Sequence, residues 1–600
     1  MCGIFLTTCP TDFGTNGLAR AVEHLRHRGP DAQSSVVSGP IGAAHARLAV
    51  IGLGPDGAQP MSSPGKDDLL VYNGEIVNFA ELASRRSLNA NSDTRLLLDI
   101  LAADDASMLG DLRGMFAFAY WDPATRTITA ARDRYGIKPL FVLEHPSGAL
   151  SFASELKPLL DHPDSRTIDP VGLVHFLAEG HTGQTQTLFR NIRKLEPGTC
   201  SRWHLDLAGS AIQTSAEILQ LGTWAELSVA DALADSVRAH LVADVEVGVF
   251  LSGGLDSTLL AALASREQTG MRSFTLGFPD SPGLDETAIA RHNAELMGLR
   301  HTVVDVRVKD MVEAAVQIIK TTGEPLGDPA ILPLAVLART AREHVPVVLA
   351  GEGADEFFGG YRRYRIDGWA SHAPSIIPAA LVNAFGRKRG TENYLRSLEA
   401  LLWGGRRGFR AHSALLLGEY ATLLAAAPPE AQEALADRVD TWQRLTPTLG
   451  SRALSYDRSV WLPNTYLEKT DRATMLHGLE ARVPYLDPVV ERSIRPSDIR
   501  GQTKSPLRAL LAELLPDHRL PGVKQGLSVD TGAVLLLGLT ESLSSELTSP
   551  DSVVASTLGR RAQVALASRV PSAPLLGYRI AQLGLWREEI EPAVASGYGL

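Results

Sequence analysis

The chain has 600 residues, too many for one hydrophobic core, so two or more domains are expected. Its 58 basic and 68 acidic residues leave a net charge of -10 with no extended Lys/Arg run, which excludes a nucleic-acid surface built on phosphate contacts. Three cysteines, at positions 2, 9 and 200, include no CxxC pair and suit a reducing, cytoplasmic compartment; the start MCGIFLTTCPTDFG has no signal-peptide build, and no apolar run approaches the roughly 18 residues of a membrane span.

In chain order, the first two hundred or so residues break into short apolar runs between Gly, Pro, Asp and Asn, as in GAAHARLAVIG, DLLVYNGEIVNF and GMFAFAYWDP. This texture predicts antiparallel β-structure with a few helices. Segment 199 to 222 reads as a linker. From about Leu221 the texture changes: a helix over Trp224 to Leu241, a buried strand over Val245 to Leu251, a Gly-rich turn, and a helix over Ser257 to Ala264. Further strands are predicted at Met271 to Phe278 and Val345 to Ala350, giving a parallel α/β sheet; from about Tyr361 the chain reads as mostly helical.

Chemistry concentrates at two places. Cys2 follows the initiator Met, so removal of that Met leaves one residue with both a thiol nucleophile and an α-amino base. The segments LRHRGPDA (25 to 32), HARLAVIG (45 to 52), GAQPM (57 to 61), YNGEIVN (72 to 78), NSDTRLLL (91 to 98) and RDRYGIKPL (132 to 140) follow it. In the second half, VGVFLSGGLDS (247 to 257) sets a strand before Ser252, Gly253, Gly254, Leu255, Asp256 and Ser257, then a helix. Small residues at a helix N-terminus make an anion cradle, and no Walker A loop occurs in the chain.

Taken together, the first set of segments resembles the glutaminase domain of class II glutamine amidotransferases over nearly all of residues 2 to 160. The SGGLDS loop resembles that of ATP pyrophosphatases. With SFTLGF (273 to 278), GEPLGDPAILP (323 to 333), LAGEGADEFFGGY (349 to 361), YLEKTDRATMLHGLEARVPYLD (466 to 487) and VKQGL (523 to 527), the second half resembles asparagine synthetases over most of residues 221 to 530. The resemblance implies an α+β N-terminal nucleophile sandwich of two antiparallel sheets between helices over residues 1–205. It implies an α/β parallel-sheet ATP-pyrophosphatase domain with an added helical part over 221–600.

The resemblance also implies roles. Cys2 would be the nucleophile, with Asn73 and Gly74 as its oxyanion hole; Arg47, Asp93 and Glu75 would bind glutamine. Leu251, Ser252, Gly253, Gly254, Asp256, Ser257, Gly277, Gly351 and Glu352 would surround ATP, Asp256 and Asp355 would hold Mg²⁺, Lys524 would neutralise phosphate charge, and Glu352 would assist ammonia's attack. Arg26, Arg28, Asp31, Arg132, Asp133 and Arg134 read as scaffold ion pairs, with a part in communication between the two sites as the alternative, and Cys9 and Cys200 as bystanders. Ala350 and Val77 stand where relatives carry Ser and Tyr.

The expected reaction is glutamine-dependent, ATP-dependent amidation of a small carboxylate, aspartate by default. Other carboxylates remain open, as does intramolecular amide closure, against which the intact glutaminase set argues; a silent scaffold is the reading from another class. No nucleic acid or membrane partner is expected, and the resemblance is compatible with a homodimer.

Overall fold

The computed structural model describes residues 1–361, 364, 423–445, 452–495, 503–522 and 529–590, apart from positions 89, 208, 221, 223, 225, 282, 284, 424 and 426. Its first part is the expected sandwich. One antiparallel sheet runs in the order Ala32–Ser38, Ile41–Arg47, Cys2–Thr7, Leu150–Ala153, Phe141–Glu144, Ile192–Lys194. The other runs Ala211–Ile218, Thr199–Leu205, Thr127–Arg132, Gly114–Asp122, Leu69–Ile76.

Alternation along the strands explains the layers. Ile4 and Leu6 share a core with Val71, Ala117, Ala119 and Ile128 of the opposite sheet. Phe5, between them, joins Ala21 and Leu25 of the helix Gly17–Leu25 on the outer face. The other outer face is covered by the helix Asp93–Ala102, through Leu96 and Leu97 against Tyr72 and Phe118.

The predicted linker is corrected by the structure. Thr199–Leu205 and Ala211–Ile218 pair as a hairpin that extends the second sheet. The outer strand is mostly exposed, so its sequence carries little of the apolar alternation that marks a half-buried strand. The helix expected from Trp224 begins only at Val229, because the Ser228 side chain accepts the Asp231 N–H at 3.1 Å and caps it there.

The second part contains a five-stranded parallel sheet in the order Arg300–Asp305, Arg272–Gly277, Val247–Phe250, Val347–Leu349, Glu480–Arg482. The first three strands wind outward one way and the last two lie on the other side of Val247–Phe250. The turns after Val247–Phe250 and Val347–Leu349 therefore open onto the point where strand order reverses, the place where doubly wound sheets bind ligands. Glu480–Arg482 is a strand missing from the sequence reading: its Glu-Ala-Arg lacks an apolar run, yet all three residues are buried. A single apolar core runs from Phe5 and Ala46 of the sandwich to Val249 and Leu349 of the parallel sheet, so the two parts share an interior.

Candidate active sites

Cys2 opens a central strand of the sandwich and lies opposite Arg47 in register. Its backbone N–H donates to Asn73 Oδ1 at 2.9 Å. That contact turns the Asn73 amide so that Nδ2, buried, has no hydrogen-bond partner. A buried N–H left unpaired costs free energy unless something else accepts from it, so beside a thiol it is a donor held ready for an oxygen that develops charge. A Cβ on Gly74 would stand 2.8 Å from the Tyr72 ring and collide with the Met115 carbonyl, which leaves glycine as the residue that fits.

Asp93 lies in the first turn of its helix, behind the Ser92 cap. Its carboxylate accepts Tyr72 O–H at 2.8 Å and the N–H groups of Ile76 (3.2 Å) and Thr94 (2.7 Å). Burial nevertheless pushes its pKa up. The Arg47 guanidinium donates to the carbonyls of Gly54, at 2.8 Å, and Gly52, and Gly57 packs close against it. Burial also raises the Cys2 thiol, partly offset by the N-terminal ammonium and Arg47. That ammonium belongs to Met1 and is buried at 2.7 Å from Glu480, so the Cys2 nitrogen here is a peptide amide. Glu75 lies 3.3 Å from Arg482, another residue of the Glu480–Arg482 strand.

At the switch point of the parallel sheet, Ser252 and Ser257 tie the loop to the helix Leu255–Glu267. Their hydroxyls are 2.8 Å apart, and Ser257 Oγ accepts the Ser252 N–H at 3.1 Å. Gly254 caps this helix without a side-chain bond, which leaves N-terminal N–H groups for an anion. Leu251 is pinned by its N–H to Phe274 O at 2.9 Å, and Gly277 packs where a Cβ would lie 2.6 Å from Asp305. The carboxylates of Asp256 and Asp355 converge on one ammonium, Lys504 Nζ, at 2.6 and 2.8 Å. Burial opposes charge on Lys504, but the two carboxylates prevail and hold its pKa above the ordinary lysine value. Oxygen ligands gathered around a point of positive charge also suit Mg²⁺.

Glu352 follows the neighbouring strand and accepts the Thr470 hydroxyl at 2.7 Å. The next residue, Asp471, leads back to the sandwich: Arg28 pairs with it at 2.9 Å and with Glu155 at 2.8 Å, and Lys138 approaches it at 3.3 Å. Arg28 Nε also donates to the Cys2 carbonyl at 3.2 Å. A small pocket, with room for little more than a water molecule, lies here, lined by Arg28, Leu140 and Glu155 from one part and Glu468, Asp471 and Arg472 from the other.

The predicted residues thus gather into two clusters, with Cys2, Arg47, Asn73, Gly74, Glu75 and Asp93 in one and Leu251 to Ser257, Gly277, Gly351, Glu352 and Asp355 at the other. Lys524 lies outside the described residues. Lys504 was missed, and its setting explains why. It holds φ 56°, a left-handed conformation, just before the helix Ser505–Leu514, and TKSPLR announces only a helix start. Gly360 was missed too, although the paired glycines of GEGADEFFGG could have pointed to it: a Cβ there would collide with Asp355 Oδ1 and Lys504 Cε.

The scaffold ion-pair reading holds for Arg28, paired with Glu155 and Asp471, and needs correction for Arg132 and Asp133. Arg132 donates to the carbonyls of Lys138, Gly136 and Leu195, and Asp133 accepts the N–H groups of Phe116, Tyr135, Ile137 and Lys138, so both clamp backbone rather than each other. Arg134 does form an ion pair, with Glu491 at 2.7 Å. Arg26 reaches Glu23 only at 3.8 Å on the surface, and Asp31 accepts the Ala49 N–H.

Two family models match the chain: a glutamine amidotransferase domain over residues 1–211 and asparagine synthase over residues 228–589. Together with the sandwich and the parallel sheet they define the class, a glutamine-dependent amidotransferase. Within that class the chain belongs to the asparagine synthase family of glutamine-hydrolysing ligases. A putative glutamine-hydrolysing asparagine synthetase of Mycobacterium bovis is 34% identical over 86% of this chain and 84% of its own. Asparagine synthetase 1 of Bacillus subtilis is 29% identical over 84% of this chain and 82% of its own. Amidase chry2 of Gibberella zeae is 30% identical over 58% of this chain and 56% of its own. Among the described residues no helix is long and apolar enough to cross a membrane.

Proposed function

We propose that this chain converts the side-chain carboxylate of aspartate to the amide of asparagine, with the N-terminal sandwich, through Ile218, releasing ammonia from glutamine and the part built on the parallel sheet activating the acceptor with ATP. The observation that carries the reading is the pair of prepared centres: an unpartnered Asn73 donor beside Cys2, and two carboxylates converging on Lys504 at the sheet's switch point.

At the first centre the Cys2 thiolate attacks the glutamine side-chain amide, and Asn73 Nδ2 with the Gly74 N–H accommodates the oxyanion. Arg47 takes the α-carboxylate, Asp93 the ammonium, and Glu75 closes the site. The thiol proton goes to the α-amino group of Cys2, which requires removal of Met1; that proton passes to the amide nitrogen, the tetrahedral intermediate expels ammonia to leave a thioester, and water hydrolyses the thioester to glutamate and the free thiol. At the second centre the glycines and helix N-terminus after Val247–Phe250 cradle the phosphates, with Leu251 and Gly277 beside the nucleoside. Asp256 and Asp355 would hold Mg²⁺, which when bound neutralises phosphate charge. The acceptor carboxylate takes AMP and pyrophosphate leaves; ammonia then displaces AMP, with Glu352 accepting its proton. Lys524 is assigned to phosphate charge by resemblance. The cavity beside Arg28 and Asp471 supports a sheltered route for ammonia.

A second reading, amidation of a different small carboxylate, is favoured by the relatives named amidases. The division of labour is tested with Cys2→Ala: glutamine-dependent product should vanish while turnover with ammonium salts persists, and loss of both together overturns it.

A further inference from the structure

We infer that His145, His162 and Asp164 form a site for a zinc-class divalent ion at the far end of the Cys2–Thr7 strand from the nucleophile. At about 3.3 Å per residue, that is roughly 20 Å from Cys2. One ring nitrogen of each histidine and a carboxylate oxygen of Asp164 lie within 4.8 Å of one another. The two rings stand at 88° with centroids 4.2 Å apart.

The decisive residue is His145. It is only 5% exposed, and its Nδ1 is buried with no hydrogen-bond partner. Its other nitrogen is anchored: Nε2 lies 2.9 Å from Ser151 Oγ and 3.6 Å from the Cys9 thiol, and Ser151 is itself held by Thr7 at 2.8 Å. One nitrogen fixed by a protein hydroxyl and the other left bare is how a ligating imidazole is oriented. His162 Nδ1 lies 3.8 Å from Asp164 Oδ2 and accepts the Asp164 N–H at 3.2 Å, a long turn contact that an ion would replace. Asp12, 4.0 Å from His162 Nε2, adds negative charge nearby.

Two imidazoles and one carboxylate suit Zn²⁺, Co²⁺ or Ni²⁺ better than Mg²⁺, and they leave one tetrahedral position for water. The ligands come from the turn of the Phe141–Ala153 hairpin and from the 3₁₀ turn Pro163–Ser165 with the residue before it. Bound metal would clip these segments together. Neither proposed reaction uses any of the three residues.

The test is Co²⁺ titration of the EDTA-dialysed full chain in excess Mg²⁺, which occupies oxygen-only sites such as Asp256 and Asp355. The site predicts visible absorption typical of four-coordinate Co²⁺ with nitrogen ligands, saturating at one ion per chain and bleached by Zn²⁺. His145→Ala with His162→Ala should abolish it. If that variant does not fold, Asp164→Asn decides, because this carboxylate is at the surface and its loss should weaken binding about tenfold or more. No such spectrum in the unaltered chain, or an unchanged affinity in the variants, overturns the assignment.

Discussion

Arg28 and Asp471 form a buried ion pair at 2.9 Å although they are 443 residues apart, and Arg28 at the same time donates to the Cys2 carbonyl. Because Asp471 is next to Thr470, whose hydroxyl donates to Glu352, three residues (Arg28, Asp471 and Thr470) link the proposed nucleophile to the proposed synthetase carboxylate. Removing Asp471 leaves Arg28 with Glu155 alone and takes the ion-pair partner from the buried Lys138, and breaking such a buried pair costs about 3–5 kcal/mol. Asp471→Asn should therefore lower stability by roughly that amount and make glutamine hydrolysis indifferent to ATP and acceptor. Denaturant unfolding with a glutaminase assay checks both, and a variant with unchanged stability and coupling would contradict the link.

Asn73→Ala removes the unpartnered amide beside Cys2. If that amide meets the oxyanion, glutaminase kcat should fall about 10²- to 10³-fold with little change in glutamine KM. Steady-state kinetics checks this, and a change confined to KM would make Asn73 a binding residue instead.

Lys504→Ala leaves Asp256 and Asp355 facing one another without their shared cation. The thermal midpoint should drop by several degrees in the absence of divalent ions, as expected for an unpaired buried charge, and millimolar Mg²⁺ should restore part of it. Calorimetry with and without Mg²⁺ makes the comparison. Gly360→Ala should disturb the same pair sterically, reducing ATP-dependent turnover while glutaminase activity remains.

Burial lowers His45 to about 3, helped by Arg47 and the N-terminal ammonium, and His240 to about 4, from an ordinary 6.5. Between pH 6.5 and about 4 the unfolded chain binds protons that the folded chain refuses. Stability should therefore decline as pH falls through that window, by roughly 1.4 kcal/mol per unit and group. Glu480, held at about 2 by Met1 and Arg482 against the opposing effect of burial, adds a further loss below pH 4.5. Urea midpoints across this range check the slope, which His240→Gln should make shallower.

What could be read in advance was whatever chemistry is local in sequence. YNGEIVN carries Asn73, Gly74 and Glu75 on one strand, and SGGLDS carries a whole anion cradle in one turn, so their positions followed once strand and helix were placed. Lys504 and Asp471 could not be read this way. Each gains its meaning from a partner far away in sequence, and a lone lysine before a helix or a lone aspartate on one looks the same whether it is solvated or buried. Arg132 and Asp133 show the converse: neighbouring opposite charges suggested a pair, yet both were recruited by backbone groups. The hairpin of Thr199–Leu205 and Ala211–Ile218 escaped because its outer strand, Ala211–Ile218, is an exposed edge strand that needs no apolar alternation.

The most direct test is pyrophosphate release from the full chain with ATP, Mg²⁺ and glutamine, with and without aspartate, together with mass analysis of the products. Aspartate-dependent pyrophosphate and AMP, equimolar with asparagine, is the predicted result. Glutamine hydrolysis with no aspartate-dependent pyrophosphate would contradict aspartate as the acceptor.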